Sequence, residues 1–223
     1  MKLNGELSMK ILSLEFSSDR RSVALISDGG LLGSAFDIGG RQTRAAGLAQ
    51  SVMDQSACSA ESLDAIVVGL GPGSYAGIRA AIAFAQGWQL ARSTKVAGVG
   101  SAELIAVGRW LSGVRGPMDV AIDAQRGDFY LGGFELAADE WIESEALRIV
   151  SSDEIVRRIR AGRTVVGPDA VLESLGGRQA FPAAGDVMSL EADKFQWVEA
   201  SILQPVYLRE PGFVKAPPSR SFI

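Results

Sequence analysis

The sequence predicts an α/β fold built as two similar lobes, the second smaller than the first. Three observations carry this. Short apolar runs of strand length alternate with stretches whose apolar residues recur at helical spacing, the pattern of helices packed on sheets with covered strands. Both halves of the 223 residues read in the same order, three strands, then helix, strand, helix. The opening strand and turn of one half also lie naturally on those of the other, LSLEFSSDRRSVAL on VAIDAQRGDFYLG, which sets Glu15 against Asp123.

In the first half KILSLEF, RSVALIS and LLGSAF read as a meander, with Asp28, Gly29 and Gly30 as turn residues and Gly39-Gly40 as its end. The period then changes. Ala45, Leu48, Ala49, Val52 and Met53 fall at i, i+3, i+4, i+7 and i+8, one face of a helix over 43–53. DAIVVGL is apolar throughout, as a strand covered on both faces should be. After GLGPGSYAGIR a helix runs over 74–91, KVAGV is a further strand, and Ser101 is placed to cap the helix AELIAVGRWL. In the second half MDVAIDA, DFYLGGFEL and SEALRIV are strands, and SSDEIVRRIR is a helix with a Ser cap and an acidic first turn. RTVVG is a strand and PDAVLESLGG a short helix closed by glycine. The Gly/Pro-rich stretch LSGVRGP, 111–117, separates the lobes. The expected units are therefore 9–112 and 113–210, with a polar extension over 1–8 and a tail over 211–223.

Composition narrows function by exclusion. The chain has no histidine and one cysteine, Cys58. Without histidine there is no Ser-His-Asp triad, no Cys-His dyad and no HExxH zinc site. One cysteine makes neither an internal disulfide nor a thiolate cluster, and no metal ligands are assigned. A net charge of −4 argues against a chain that grips nucleic acid by itself. No apolar run approaches the roughly 18–20 residues of a membrane span, and MKLNGELS lacks the apolar core of a signal peptide. The cytoplasm is the expected compartment.

Two meanders, each followed by alternating helix and strand, describe the duplicated RNase H-like architecture of actin-like (ASKHA) ATPases. There an acidic residue ends the first strand of each lobe, and the turns that follow face a cleft able to hold phosphates and metal. The equivalents are Glu15 with Ser17 and Ser18, and Asp123 with Gln125 and Arg126. One reading makes the chain a nucleotide-binding phosphotransferase or ATPase using Glu15 and Asp123. The plainer reading leaves these as strand-end carboxylates beside Arg20, Arg21 or Arg126. The first turn has no glycine to wrap backbone N–H groups around a phosphate, and the second lobe is short for enclosing an adenosine. The cleft reads as vestigial.

GLGPGSYAGIR invites comparison with phosphate loops and fits neither. Ile78 stands where GxxxxGK[ST] needs Lys, and Ala76 where GxGxxG needs its last glycine. A tight strand-to-helix turn capped by Ser74 is the better account. The helix behind it carries two apolar stripes. Ile78, Ala81, Ile82 and Ala85 form one; Ala80, Ala83, Phe84, Gly87, Trp88 and Ala91 form the other. A helix lying on a sheet needs one such stripe. The second, with Ala45, Leu48, Ala49 and Val52 of the neighbouring helix, predicts a protein interface, unless the two helices pack only on each other.

GLGPGSYAGIRAAIAFAQGWQLA with KVAGVGSAELIA resembles the TsaB family, whose pattern is GPGSFTGxR, an Ala/Gly-rich helix, a strand and VSSLEALA. VAIDAQRGDFYLGGFE is similar to that family's IDARRGEVY strand-turn-strand, VVGPDA to its second-lobe turn, and PVYLRE to its PxYLR. The segments span most of the chain. The resemblance implies a non-catalytic subunit of the machinery that makes threonylcarbamoyladenosine (t6A) in tRNA, pairing with a TsaD-type subunit that a TsaE-type ATPase joins. ATP and metal are then expected on partner subunits and none on this chain, tRNA is met through the complex, and a homodimer forms in isolation. The older family label is glycoprotease-like or M22 peptidase-like, an activity the missing histidines exclude here. Three departures stand out. LEFSS carries Glu15 where the family has Asp, RQTRAAGLAQ lacks the family's His-Ser, and Tyr75-Ala76 replaces Phe-Thr. The first two count against nucleotide binding; the third touches the start of the interface helix.

Overall fold

Strands form where apolar and β-branched residues run together, and here they form two sheets. The structure, a computed structural model, describes residues 9–38, 44–190 and 195–208. β1 (Lys10–Glu15) and β2 (Arg20–Ser27) are buried along nearly their whole length, while β3 (Gly30–Ile38) runs largely exposed at the sheet edge. Asp28 and Gly29 both take left-handed φ, 54° and 68°, in the tight turn between β2 and β3. α1 (Ala45–Gln55), β4 (Ala65–Gly69), α2 (Tyr75–Arg92), β5 (Lys95–Val99) and α3 (Ser101–Leu111) follow. The second half contains β6 (Gly116–Asp123), β7 (Asp128–Leu136), β8 (Trp141–Ser151), α4 (Ser152–Arg160), β9 (Thr164–Gly167), α5 (Ala170–Ser174) and β10 (Arg178–Gln179).

The sheet orders are β3-β2-β1-β4-β5 and β10-β9-β6-β7-β8. Counted within each half, both are third, second, first, fourth, fifth. In each sheet the first hairpin is antiparallel, and the fourth strand runs parallel to the first. Glu15 pairs with Ser22 and Asp123 with Phe129, each at the last register of its hairpin, so the overlay drawn from sequence corresponds to real equivalence. This is the duplicated RNase H-like fold of actin-like proteins. Its second lobe is reduced: β9, α5 and β10 are shorter than β4, α2 and β5.

Each sheet is covered on both faces. α1 and α2 pack on one face of the first, burying Leu12, Leu14, Leu25, Val52, Ile66, Val68, Ile78 and Ala81. The opposite face buries Ile11, Ile26, Val67 and Ala97 against Leu104 of α3 and against Val187 and Phe195. These last two belong to a stretch with no counterpart in the first half. After β10 the chain returns to the first sheet. Ala184 donates its N–H to the Ser22 hydroxyl (3.0 Å), Val198 bridges Val96, and Val206 donates its N–H to the Leu70 carbonyl (2.8 Å).

Two expected caps are corrected. Ser101 does not cap α3: Gly100 is the N-cap, and the Ser101 hydroxyl is drawn away to a buried carboxylate. Ser151 stands at the N-cap of α4 but makes no side-chain capping bond. Gly39, Gly40 and Thr43, the extension over 1–8 and the tail over 211–223 lie outside the described residues. Among the described residues no helix is long and apolar enough to cross a membrane.

Candidate functional site

The turns after β1 and β6 face a common cleft of about 700 Å³. Ser17 and Ser18 line it from the first turn, Asp123 and Gln125 from the second, Ser74 and Tyr75 from the start of α2, and Asp169 and Phe181 from the second lobe. Glu15 does not line it. Its side chain is wholly buried beneath the first turn, with Oε1 accepting the Ser17 N–H (2.6 Å) and Oε2 accepting the Ser101 hydroxyl (2.8 Å). Burial pushes its pKa up, opposed by the hydrogen bonds from Ser17 and Ser101. A Cβ on Gly69 would collide with this carboxylate. Glu15 therefore clips β1 to α3 and is neither solvated nor paired with an arginine.

Asp123 does face the cleft. Its carboxylate accepts the backbone N–H of Gln125 (2.7 Å) and its side-chain amide (3.1 Å), while its own N–H donates to Asp169 Oδ2 (2.8 Å). Burial raises the pKa of Asp169, and the neighbouring Asp123 and Asp19 add to the rise. Gln125, Arg126 and Gly127 take left-handed φ at the turn, and Arg126 sits exposed there without joining the cleft wall. Among the described residues the lining thus carries Asp19, Asp123 and Asp169 against one cation, Arg20, whose guanidinium lies 4.3 Å over the Phe36 ring. Hydroxyls and amides there can bind a polar molecule, but three carboxylates without a lysine repel a bare triphosphate. Among the described residues no three acidic or thiol side chains gather as a metal site.

The glycine loop is used by the chain itself. Gly71 donates its N–H to Ser101 Oγ (3.1 Å) and accepts the Ser101 N–H on its carbonyl (2.7 Å). Ser74 N–H goes to the Ser17 carbonyl (2.6 Å), and Gly77 N–H to the Ser74 hydroxyl (3.3 Å) that caps α2. A Cβ on Gly73 or Gly77 would strike the carbonyls of Ser17 and Phe16. The close approach these glycines allow is to the β1–β2 turn, and the N–H groups an anion would need are largely committed.

The second stripe of α2 divides in two. Phe84 and Trp88, their rings 5.5 Å apart, are half-buried against the core together with Ala45 and Leu48 of α1, while Ala49 and Val52 sit inside it. Ala80, Ala83, Gly87 and Ala91 remain exposed. Leu90, outside both stripes expected from the sequence, is 91% exposed on the same side. It lies seven positions after Ala83, a spacing that could have found it. Also unforeseen is a groove on the other flank of this strip, where Tyr75 and Arg79 meet Tyr207 of the returning chain.

A family model described as TsaD, tRNA N6-adenosine threonylcarbamoyltransferase, matches residues 41–154, more than half of the chain. The tRNA threonylcarbamoyladenosine biosynthesis protein TsaB of Escherichia coli (strain K12) is 28% identical over 220 residues, covering 90% of this chain and 95% of that protein. Two solved structures share the fold at 24% identity, each covering 90% of this chain and 100% of its own. One is an uncharacterized protein with similarity to the peptidase YeaZ from Pseudomonas aeruginosa (TM-score 0.76), the other YeaZ from Pseudomonas aeruginosa (TM-score 0.74). The chain belongs to the family this model describes and, within it, to the TsaB proteins.

Proposed function

We propose that this chain is a non-catalytic subunit of the t6A synthesis machinery of tRNA, docking a TsaD-type transferase through α1 and α2 and holding it in an active state. A TsaE-type ATPase joins the pair, ATP and metal sit on those partners, and tRNA is met through the assembly. In isolation the same face pairs two copies. The observation that carries this is the outward strip of α2, where Ala80, Ala83, Gly87 and Ala91 are exposed beside Leu90. Small residues let a second helix come close, and an exposed leucine gains from being covered. Gly87 adds to this, because none of the described residues occupies the space its side chain would fill.

The reading as an actin-like ATPase has less support. The cleft is present, but Glu15 is withdrawn from it and its wall is acidic.

Reconstitution of tRNA modification with the cognate TsaD-type subunit tests the proposal. Wild-type protein is expected to co-purify with that subunit and raise its activity. Ala83→Arg, at an exposed position, should keep its melting temperature and lose about tenfold or more of the pairing affinity. Failure of the wild type to bind or activate overturns the reading, as does an Ala83→Arg variant that pairs normally.

A further inference from the structure

Between α2 and the returning segment 203–207 lies a groove of about 420 Å³, walled by Tyr75, Arg79, Ala83, Gln86, Leu203 and Tyr207. Among the described residues, Arg79 is the one charged residue lining it. Its guanidinium donates to the Tyr75 hydroxyl (2.8 Å) and lies 5.3 Å from the centre of the Tyr75 ring, which packs at 5.4 Å on Tyr207. The cation is thus held in a defined place, and among the described residues no carboxylate pairs with it. α2 contains no acidic residue at all, and its other arginine, Arg92, already has Glu61 at 2.9 Å. On α1 the one carboxylate, Asp54, is engaged by Gln50 at 2.7 Å.

A pre-positioned guanidinium with uncommitted N–H donors, at the edge of an apolar strip, is built to receive a carboxylate. A second copy supplies no such acid, since a two-fold axis sets this patch against itself and α2 offers arginines without acids, so a homodimer through this face leaves Arg79 unmatched. We infer that the groove seats an aspartate or glutamate from an acidic helix or loop of the TsaD-type subunit, and that this ion pair orients the docking. The inference rests on the proposed function and adds to it the chemistry of the partner's surface.

The test is binding of the cognate TsaD-type subunit by calorimetry at low and moderate salt. Removing one partner of a desolvated ion pair should weaken binding about 30-fold or more for Arg79→Glu, and about tenfold for Arg79→Leu, which keeps the groove apolar. The gap to wild type should narrow as salt rises. Arg157→Glu, an exposed arginine on the second lobe with the same change in net charge, should bind within about twofold of wild type. The inference is overturned if Arg79→Leu binds as tightly as wild type, or if Arg157→Glu weakens binding as much as Arg79→Glu. A loss of the same size from Glu210→Gln would place the counter-charge in this chain and overturn it too. So would sedimentation showing that Arg79→Glu disrupts a homodimer while affinity for the TsaD-type subunit holds. If wild type fails to bind, the proposed function itself falls; if wild type and both Arg79 variants bind alike, only this inference does.

Discussion

Gly77 and Gly87 lie on one helix and meet opposite surroundings. A Cβ at Gly77 runs into the Phe16 carbonyl, which belongs to the backbone and cannot move aside cheaply. A Cβ at Gly87 meets nothing within 4 Å. Glycine in a helix interior costs about 0.5–1 kcal/mol relative to alanine. Gly87→Ala is therefore expected to stabilise the isolated chain by about that amount in urea denaturation. Gly77→Ala should destabilise it by about 2 kcal/mol or more. A loss on Gly87→Ala would mean that the helix itself needs this glycine, and would remove one support for a partner's close approach. In sequence the two glycines look alike. What separates them is a carbonyl of the β1–β2 turn, distant in the chain, which no local pattern reports.

At the scale of elements, α4 shows how a mostly polar helix is held. Only Ile155 on it is fully buried. Its anchor is Asp119 of β6, which is 0% exposed. Arg163 grips that carboxylate with two bonds, Nε at 2.7 Å and Nη2 at 2.6 Å, and Arg158 of α4 adds Nη1 at 3.2 Å. Glu145 of β8 joins through Arg158 Nη2 (2.7 Å), and Glu154 through Arg148 (2.5 Å). Breaking a buried pair from one side leaves charges unpaired and typically costs about 3–5 kcal/mol. Asp119→Ala is expected to lose about 3 kcal/mol, at the lower end because Arg163 keeps some solvent contact. Urea denaturation measures this, and a loss below about 1 kcal/mol would show that water replaces the carboxylate. MDVAIDA read correctly as a strand, yet nothing in it announces that Asp119 waits for arginines 39 and 44 residues onward.

For the molecule as a whole, the return of the chain to the first sheet joins the C-terminal residues to the N-terminal lobe. Asp186 sits in that return, its carboxylate filling the space that a side chain at Gly108 of α3 would need. Burial pushes its pKa up to about 6 from 3.8, against the backbone hydrogen bond from Ala183 and the charge of Arg20. The unfolded chain gives up this proton near 3.8 and the folded chain near 6. Stability from this group therefore falls as pH rises through that window and is level above it. Asp186→Asn should match wild type near pH 3.5 and be the more stable above about pH 6.5, by an amount on the order of 2 kcal/mol. Melting curves across that range check it, and parallel pH profiles for the two proteins would refute it. The return itself was not foreseen, because the sequence beyond Ala180 has no strong period; what it packs against is a surface assembled from β2, β3 and α3.

By itself the sequence determined the order of strands and helices as far as α5, though not β10, together with the duplication, the equivalence of Glu15 and Asp123, and the exclusion of histidine chemistry. These depend on composition, on spacing between near neighbours and on turn residues, all of which are written locally. Only the tertiary structure decided that Glu15 turns inward to Ser101, 86 residues away, while Asp123 faces the cleft. It also decided that the second stripe of α2 divides into a covered aromatic half and an open small-residue half, and that Tyr207 returns to close a groove around Arg79. Periodicity says which face of an element is apolar. Which part of that face stays open depends on segments distant in the chain, and so on the packing of the whole.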